Sequence, residues 1–451
     1  MKVMKFGGTS MGSVEALRNV VSILKDEDAP RVVVVSAMSK VTNLLIQWMN
    51  ERQPGVDEVI ENLHDRHVEM ASALMGEELR EDYHRELRLR LDRLRDLMVH
   101  YQERGGNPKL VDAISSWGER LSSLLLTFIL RSEGLDAVRL TSETAGVIAT
   151  GYPGNASADL EATSENLKRN VLPLVQEGKL IVLTGYYGCD EEGRPLTLGR
   201  GGSDYSAGVV AYCLDADCLE IWTDVDGFMT ADPRIVSGAK SIEDMNYREA
   251  AELAYFGAKV LHARTMEPVR LKSIPVWVRN TFNPHGEGTH IHELSSAGKY
   301  LLRSVAVKPN LSIIKVYSSE ITYDPGLVSK IITSIGGRGV NSYAISTSLS
   351  TLAVAVHSSA VPEAVANLNA ISGYQIERIK VKDNVCLICA VGDNLIDTPG
   401  VAARVFDAVE HAGANLEMIS EGASDVALNF LVPGYAAPSV VRALHDLFIG
   451  D

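Results

Sequence analysis

The chain has 451 residues, 46% hydrophobic and 22% charged, enough to bury a large core in two to four domains. Forty-three basic against 58 acidic residues leave a formal net charge of -15, the wrong sign for a protein that works by neutralising nucleic-acid phosphates. No apolar run approaches the ~20 residues of a membrane-spanning helix, and the N-terminus reads as a strand rather than a signal sequence, so a cytoplasmic protein without nucleic-acid or membrane partners is expected.

Met1 to Phe6 reads as a short buried strand, and KFGGTS at Lys5 to Ser10 follows from it. The lysine precedes the glycines, the reverse of a P-loop. Gly7-Gly8 lets the backbone turn at the strand's carboxyl end, where open α/β sheets hold ligands, and Lys5 points its charge into that crevice. VEALRNVVSILK at 14 to 25 has helical periodicity, and RVVVVS at 31 to 36 is the pattern of a strand buried on both faces. Val56 to Arg104 is long, charged and helix-favouring. Its His64, His67, His84 and His100 are expected on solvated helical faces, and without a helical HExxH pattern no metal is assigned to the chain. KLIVLTG at 179 to 185 and CLEIWTD at 218 to 224 repeat the buried-strand pattern, with AGVVAYCLDA at 207 to 216 helical between them. Such alternation predicts a layered α/β domain with a mainly parallel sheet.

A boundary is expected in NPHGEGTHIHELSSAGKY, 283 to 300, where the apolar rhythm breaks. Beyond it lies an internal repeat. PGLVSKIITSIGGRGVNSYAIS from Pro325 recurs as PGVAARVFDAVEHAGANLEMIS from Pro399, 74 residues later, with Gly339 matching Gly413 and Asn341 matching Asn415. Each copy reads strand, helix, strand, strand, helix, which suits a ferredoxin-like βαββαβ module. Cys386 and Cys389 stand i and i+3 on a predicted strand, facing opposite sides, and are read as small core residues rather than a metal or redox pair.

Four further motifs fall mostly at predicted strand ends: SAMSKVTNLL at 36 to 45, SSWGERLSS at 115 to 123, TLGRGGSDYSA at 197 to 207, and WTDVDGFMTADPR at 222 to 234 followed by FGAKVLH at 256 to 262. Gly199, Gly201 and Gly202 around Arg200 leave amides free to approach an anion at a helix start. Together and in this order the motifs resemble the amino-acid kinase family, and within it the aspartate kinases, over the whole chain. The repeat resembles a pair of ACT domains. The resemblance implies a three-layer α/β/α sandwich with a mainly parallel sheet at 1–295, then ACT domains at 303–380 and 381–451, commonly built into homodimers or higher oligomers.

The activity so implied is transfer of the ATP γ-phosphoryl group to the side-chain carboxylate of L-aspartate, with Mg²⁺ accompanying ATP, and feedback by an amino acid at the ACT domains. A carboxylate is already ionised at neutral pH, which accounts for the lack of any nucleophile-and-base arrangement. By resemblance Lys5 and Asp204 are catalytic, and Thr42, Glu119, Thr197, Arg200 and Ser203 bind aspartate. Lys5, Gly7, Gly8, Thr9, Ser10, Thr223, Asp224, Met229, Arg234 and Lys259 would meet the nucleotide, Met229 standing where relatives usually carry an aromatic residue. Gly326, Leu327 and Asn341 form the effector site. Tyr343 and Leu349 stand where lysine-sensitive relatives often place an acid, so a neutral effector such as threonine, or no tight feedback at all, is expected. The alternatives are a same-fold kinase for glutamate or N-acetylglutamate and a catalytically silent amino-acid sensor. Because the chain stops at Asp451, directly after the repeat, no homoserine dehydrogenase domain is expected.

Overall fold

The computed structural model describes residues 1–27, 29–257, 260–293, 301–336, 340–371, 376–393, 395 and 397–450. The chain forms two compact units: Met1–Phe228 with Ser241–Ala251 and Lys259–Ser295, and Met229–Lys240 with Glu252–Ala258 and Ser296–Asp451. The expected boundary near 295 therefore needs a correction, because residues 229–240 and 252–258 belong to the C-terminal unit. Val305 bridges Ala231 and donates its N–H to the Thr230 carbonyl (2.9 Å), while Ser304 Oγ donates to the Met229 carbonyl (2.8 Å).

The strands of the first unit are β1 (Lys2–Phe6), β2 (Arg31–Val35), β3 (Ala137–Leu140), β4 (Ala149–Tyr152), β5 (Asn155–Ala158), β6 (Leu180–Thr184), β7 (Tyr187–Cys189), β8 (Pro195–Thr197), β9 (Cys218–Thr223), β10 (Asp244–Asn246), β11 (Val276–Asn280) and β12 (Thr289–His292). Eight of them form one sheet in the order β10-β12-β11-β9-β1-β2-β6-β3, parallel except where β11 meets β12. β4 with β5, and β7 with β8, are separate hairpins. Val32 to Val35 of β2 are all 0% exposed, as a strand covered by helices on both faces requires. The stretch expected to be a linker contains β12, whose Ile291 is buried against the sheet. Four short residues of strand inside a polar, glycine-rich run give too weak a periodicity to read.

The charged stretch becomes two antiparallel-packing helices, Val56–Leu74 and Glu77–Arg104. In the longer one Tyr83, Leu87, Leu91, Leu94, Met98 and Tyr101 recur at three- and four-residue spacing and make its single buried stripe. His67 corrects the expectation of solvated histidines. It is fully buried, its Nδ1 lies 2.6 Å from the Leu63 carbonyl, and the surrounding apolar core takes up the ring. His64, His84 and His100 are not buried.

The C-terminal unit contains β13 (Ser304–Tyr317), β14 (Ser342–Thr347), β15 (Thr351–His357), β16 (Arg378–Val391), β17 (Met418–Ser420) and β18 (Ala427–Pro433) in one antiparallel sheet, order β14-β15-β13-β16-β18-β17. The two copies of the repeat are interleaved rather than consecutive, which corrects the 380/381 division. Residues 313–317 of β13 pair with 378–382 of β16, completing the first copy, whereas 304–308 pair with 387–391 and complete the second, with Leu311 opposite Val385 between the two stretches. The exchange occurs where both strands carry an asparagine at positive φ, Asn310 (61°) and Asn384 (57°), equivalent positions of the repeat. Asparagine tolerates that conformation better than most side chains, so each long strand bends there and changes partner. Cys386 and Cys389 are buried in β16, as two core residues.

Burial pushes the His67 imidazole down to about 4, against the opposing pull of its bond to Leu63. The unfolded chain binds this proton more readily, so His67 contributes stability that is present above about pH 6.5 and lost as pH falls towards 4, a term of roughly 3 kcal/mol at most. Denaturant titrations at about pH 7 and pH 4.5 should show a smaller loss for His67→Leu than for the unsubstituted chain. Equal losses would show that His67 does not couple folding to pH.

Candidate active site

A crevice of about 250 Å³ opens at the carboxyl ends of β1, β2 and β6, lined among others by Lys5, Gly8, Thr42, Glu119, Ser203 and Asp204. Lys5 is 7% exposed, and a buried ammonium needs an anion beside it. Asp204 supplies that anion through an ion pair to Lys5 Nζ, and its second oxygen accepts the His262 N–H (3.1 Å). Asp204 lies in the first turn of the helix Gly202–Cys213, so the positive end of that helix also faces the crevice. Gly201 precedes it at φ 69°, and a Cβ there would fall 2.2 Å from the Cβ of His262. Glycine is thus what allows His262 to reach Asp204.

The GERLSS motif has an equally local cause. A Cβ on Gly118 would fall 2.5 Å from Ala37 Cβ, so glycine lets the helix Trp117–Ser132 press onto the loop after β2. Ser122 Oγ holds that contact by donating to the Ser36 carbonyl (2.6 Å). Glu119 is thereby carried into the crevice at 3% exposure. Ser203 Oγ donates to its Oε1 (3.2 Å), while Oε2 is buried without a hydrogen-bond partner. Burial pushes this carboxyl up to about 8, although backbone N–H groups, Ser203 and the Lys5 charge all pull the other way. A buried acceptor left open in a polar crevice is a place for a cationic donor.

Thr197 lies beneath the loop rather than on the crevice wall. Its N–H and hydroxyl both donate to the Asp112 carboxylate (2.8 Å each), which also accepts the Gly154 N–H (3.0 Å). Burial pushes the Asp112 carboxyl up, and those three bonds oppose the shift. Asp112 therefore ties the β4–β5 turn to the start of the glycine loop. Arg200, at the loop's apex, is exposed, and no ion pair to it is found among the described residues.

The remaining predicted residues divide. Gly7 adjoins the crevice, since a Cβ there would lie 3.4 Å from Lys5 Nζ, and Thr9 is exposed beside it. Ser10 is turned away, fully buried with its hydroxyl 2.7 Å from Thr281 Oγ1 and 3.3 Å from the Trp222 carbonyl. Thr223 and Asp224 sit together at the end of β9, hydroxyl to carboxylate at 3.2 Å, with Asp224 exposed. Met229 and Arg234 fall in the C-terminal unit, where Arg234 forks onto Asp232 (2.6 to 3.1 Å). Lys259 lies outside the described residues. The reading from sequence missed Asp112, Lys40 and Tyr186. Lys40 and Tyr186 both line the crevice at positive φ (68° and 73°), a conformation costly for residues with a Cβ, and burial pushes the Tyr186 phenol up to about 12. A lysine amid SAMSK and a tyrosine pair after a strand carry no sequence sign of that strain.

A parallel α/β sheet with a lysine-bearing crevice at its strand ends agrees with the outcome of comparison with known proteins. Residues 1–280 match the amino acid kinase family and residues 388–448 match the ACT domain. The chain belongs to the amino acid kinase family. Its relatives there are aspartokinases: it is 33% identical to the lysine-sensitive aspartokinase 3 of Escherichia coli (strain K12) over 98% of both chains. It is 31% identical to aspartokinase 2, chloroplastic, of Arabidopsis thaliana over 99% of this chain and 84% of that one. The crystal structure of E. coli aspartokinase III in complex with aspartate and ADP superimposes with a TM-score of 0.86 at 30% identity, covering 99% of each chain. The chain spans 51% of the bifunctional aspartokinase/homoserine dehydrogenase 1, chloroplastic, of A. thaliana.

Proposed function

We propose that this chain is an aspartate kinase, transferring the γ-phosphoryl group of ATP to the side-chain carboxylate of L-aspartate. The observation that carries the proposal is the pairing, in one crevice, of the Lys5–Asp204 ion pair with the open buried oxygen of Glu119. A substrate with both a free ammonium and two carboxylates fits that combination: Glu119 takes the ammonium, the unpaired Arg200 takes the α-carboxylate, and Ser203 and Thr42 stand alongside. N-acetylglutamate, lacking the ammonium, would leave Glu119 unsatisfied.

A side-chain carboxylate oxygen attacks the γ-phosphorus, the bond from that phosphorus to its β-bridging oxygen breaks, and ADP leaves with the electron pair. No proton has to be removed from the nucleophile. Lys5, oriented by Asp204, places its charge where it accumulates on the transferring group, and the Gly7-Gly8 turn gives that group close approach. Thr9, Thr223, Asp224, Met229, Arg234 and Lys259 are proposed for the nucleotide, whereas Ser10 would act by fixing the turn from beneath. Asp204 is engaged by Lys5 and Glu119 is assigned to the substrate ammonium, so Mg²⁺ would be held on phosphate oxygens and water, where it would offset phosphate charge. Among the described residues no helix is long and apolar enough to cross a membrane, and a cytoplasmic location accords with five free thiols.

Regulation is proposed at the first repeat. Gly326 and Leu327 donate their N–H groups to Asp324 Oδ1 (2.8 and 3.3 Å), Leu327 anchors its side chain in the core of the first copy, and Asn341 is exposed. An effector carboxylate would have to replace Asp324 at those amides, which releases an acid beside the bound amino acid. That gives lysine a partner the sequence reading did not supply, and lysine stands with threonine as the effector to test. We propose a homodimer or larger assembly, since the outer strands β14 and β17 expose Ile345 (41%) and Ile419 (42%).

Hydroxamate trapping of the acyl phosphate should respond to aspartate and not to glutamate or N-acetylglutamate. Lys5→Ala should lower kcat by roughly 10² or more with little change in the aspartate KM. An unaltered kcat would remove Lys5 from the chemistry.

Glu119 also sets a pH dependence. Its proton must leave before an ammonium can be paired, so the aspartate KM should fall roughly tenfold between about pH 6.5 and pH 8 as the raised carboxyl ionises. Glu119→Gln should raise KM and flatten the profile; a flat profile in the unsubstituted enzyme would refute the assignment.

For the effector, Asn341→Ala should relieve inhibition by threonine or lysine by tenfold or more in effector concentration while sparing uninhibited kcat, about 1 to 3 kcal/mol of lost coupling. Inhibition that persists unchanged would place the effector elsewhere.

A further inference from the structure

Away from the crevice, at the other side of the same sheet, β10 and β12 bring together side chains that the phosphoryl transfer does not use. Asp244 of β10 is directly opposite His290 of β12, and His292, two residues on, points to the same face. His292 Nε2 is hydrogen-bonded to Asp244 Oδ1. One potential ligand atom from each of Asp244, His290 and His292 lies within 4.8 Å of the other two. The His290 and His292 rings stack at 4.4 Å and 26°, and Trp277 of β11 stacks on the outer face of His290 at 4.2 Å and 10°.

We propose that Asp244, His290 and His292 form a binding site for a divalent transition-metal ion, zinc by preference, with water completing the coordination. The donor set is two imidazoles and one carboxylate, which suits zinc and its neighbours and disfavours magnesium or calcium, whose ligands are oxygens. The residues come from two paired strands, so their backbones are held in place before any ion arrives. Modest rotation of the three side chains closes a spread of 4.8 Å to the separation of ligands around one ion. Trp277 covers one face of His290 and limits the positions its ring can take. All three residues are only partly buried, so the ion has a way in. Glu243 and Glu287 line the adjoining cleft together with Arg279 and His285.

The consequence is mechanical. β10 is a three-residue strand at the edge of the sheet, and β12 is its one paired strand among the described residues. A shared ion would fasten it there and raise the stability of the unit without touching Lys5 or Glu119.

The test uses the full chain, stripped with a chelator and kept free of nucleotide and Mg²⁺. Calorimetric titration with Zn²⁺ should show one equivalent bound, and Zn²⁺ should raise Tm. Replacing Zn²⁺ by Co²⁺ should give the visible ligand-field absorption of a four-coordinate nitrogen and oxygen site, a readout that needs no substitution. His290→Asn and His292→Asn should each weaken binding roughly tenfold or more and abolish the Tm shift, with metal-free Tm and kinase kcat retained. Absence of stoichiometric Zn²⁺ binding, weak binding at many sites as an adventitious ion only, or one-equivalent binding that survives both substitutions would overturn the proposal.

Discussion

The ion pair between Lys5 and Asp204 is the constraint on which the crevice is built. A lysine 7% exposed at the end of a central strand would be costly alone, and Asp204 reaches it only because the helix Gly202–Cys213 begins directly above β1. That placement requires the chain to leave β8 through a loop tight enough for Gly201 to pass under His262. It also requires the loop's start to be fixed, which Asp112 does through Thr197. Charge, glycine and buried carboxylate are therefore parts of one arrangement. Loosening any of them would shift the lysine proposed to face the transferring phosphoryl group.

Glu119 shows the opposite condition. Where Lys5 is satisfied by Asp204, Glu119 retains an oxygen with no hydrogen-bond partner among the described residues and a carboxyl displaced towards its neutral form. The same crevice thus holds one charge that is ready and one that awaits its counter-ion. In the proposed mechanism, binding energy from the substrate ammonium would ionise Glu119, which would tie recognition of a free amino acid to the state of the site. A carboxylic acid without that ammonium would not perform the same step.

Much of this was legible in the residues themselves. Valine runs marked the central strands, and the helix at 14 to 25 falls where its periodicity put it, because burial on both faces and on one face leave different patterns. The motif residues Lys5, Thr42, Glu119, Ser203 and Asp204 do meet, although they span 200 residues of chain. What escaped was set by tertiary contact. Asp112 has no neighbours in sequence that announce a carboxylate under a loop, and His67 looks like any helix histidine until the core closes over it. His290 and His292 stood in plain view in a stretch read as linker, but their significance depends on Asp244, which only strand pairing supplies.

The C-terminal repeat carries the same lesson to the level of topology. Two copies 74 residues apart suggest two beads on a string, yet the strand Ser304–Tyr317 is twice the length one module needs. Its first five residues close the second module and its last seven open the first, and β16 makes the reciprocal exchange. Neither copy can complete its sheet from its own continuous segment. The two cores, one around Leu327 and Ile331 and one around Val405 and Phe430, are thus joined through two shared strands at Asn310 and Asn384. A ligand that orders the loop before Pro325 acts on a module whose last strand is also the first strand of its neighbour. Strain introduced in one copy has a covalent, hydrogen-bonded route into the other, which is the connectivity that regulation by an amino acid would use.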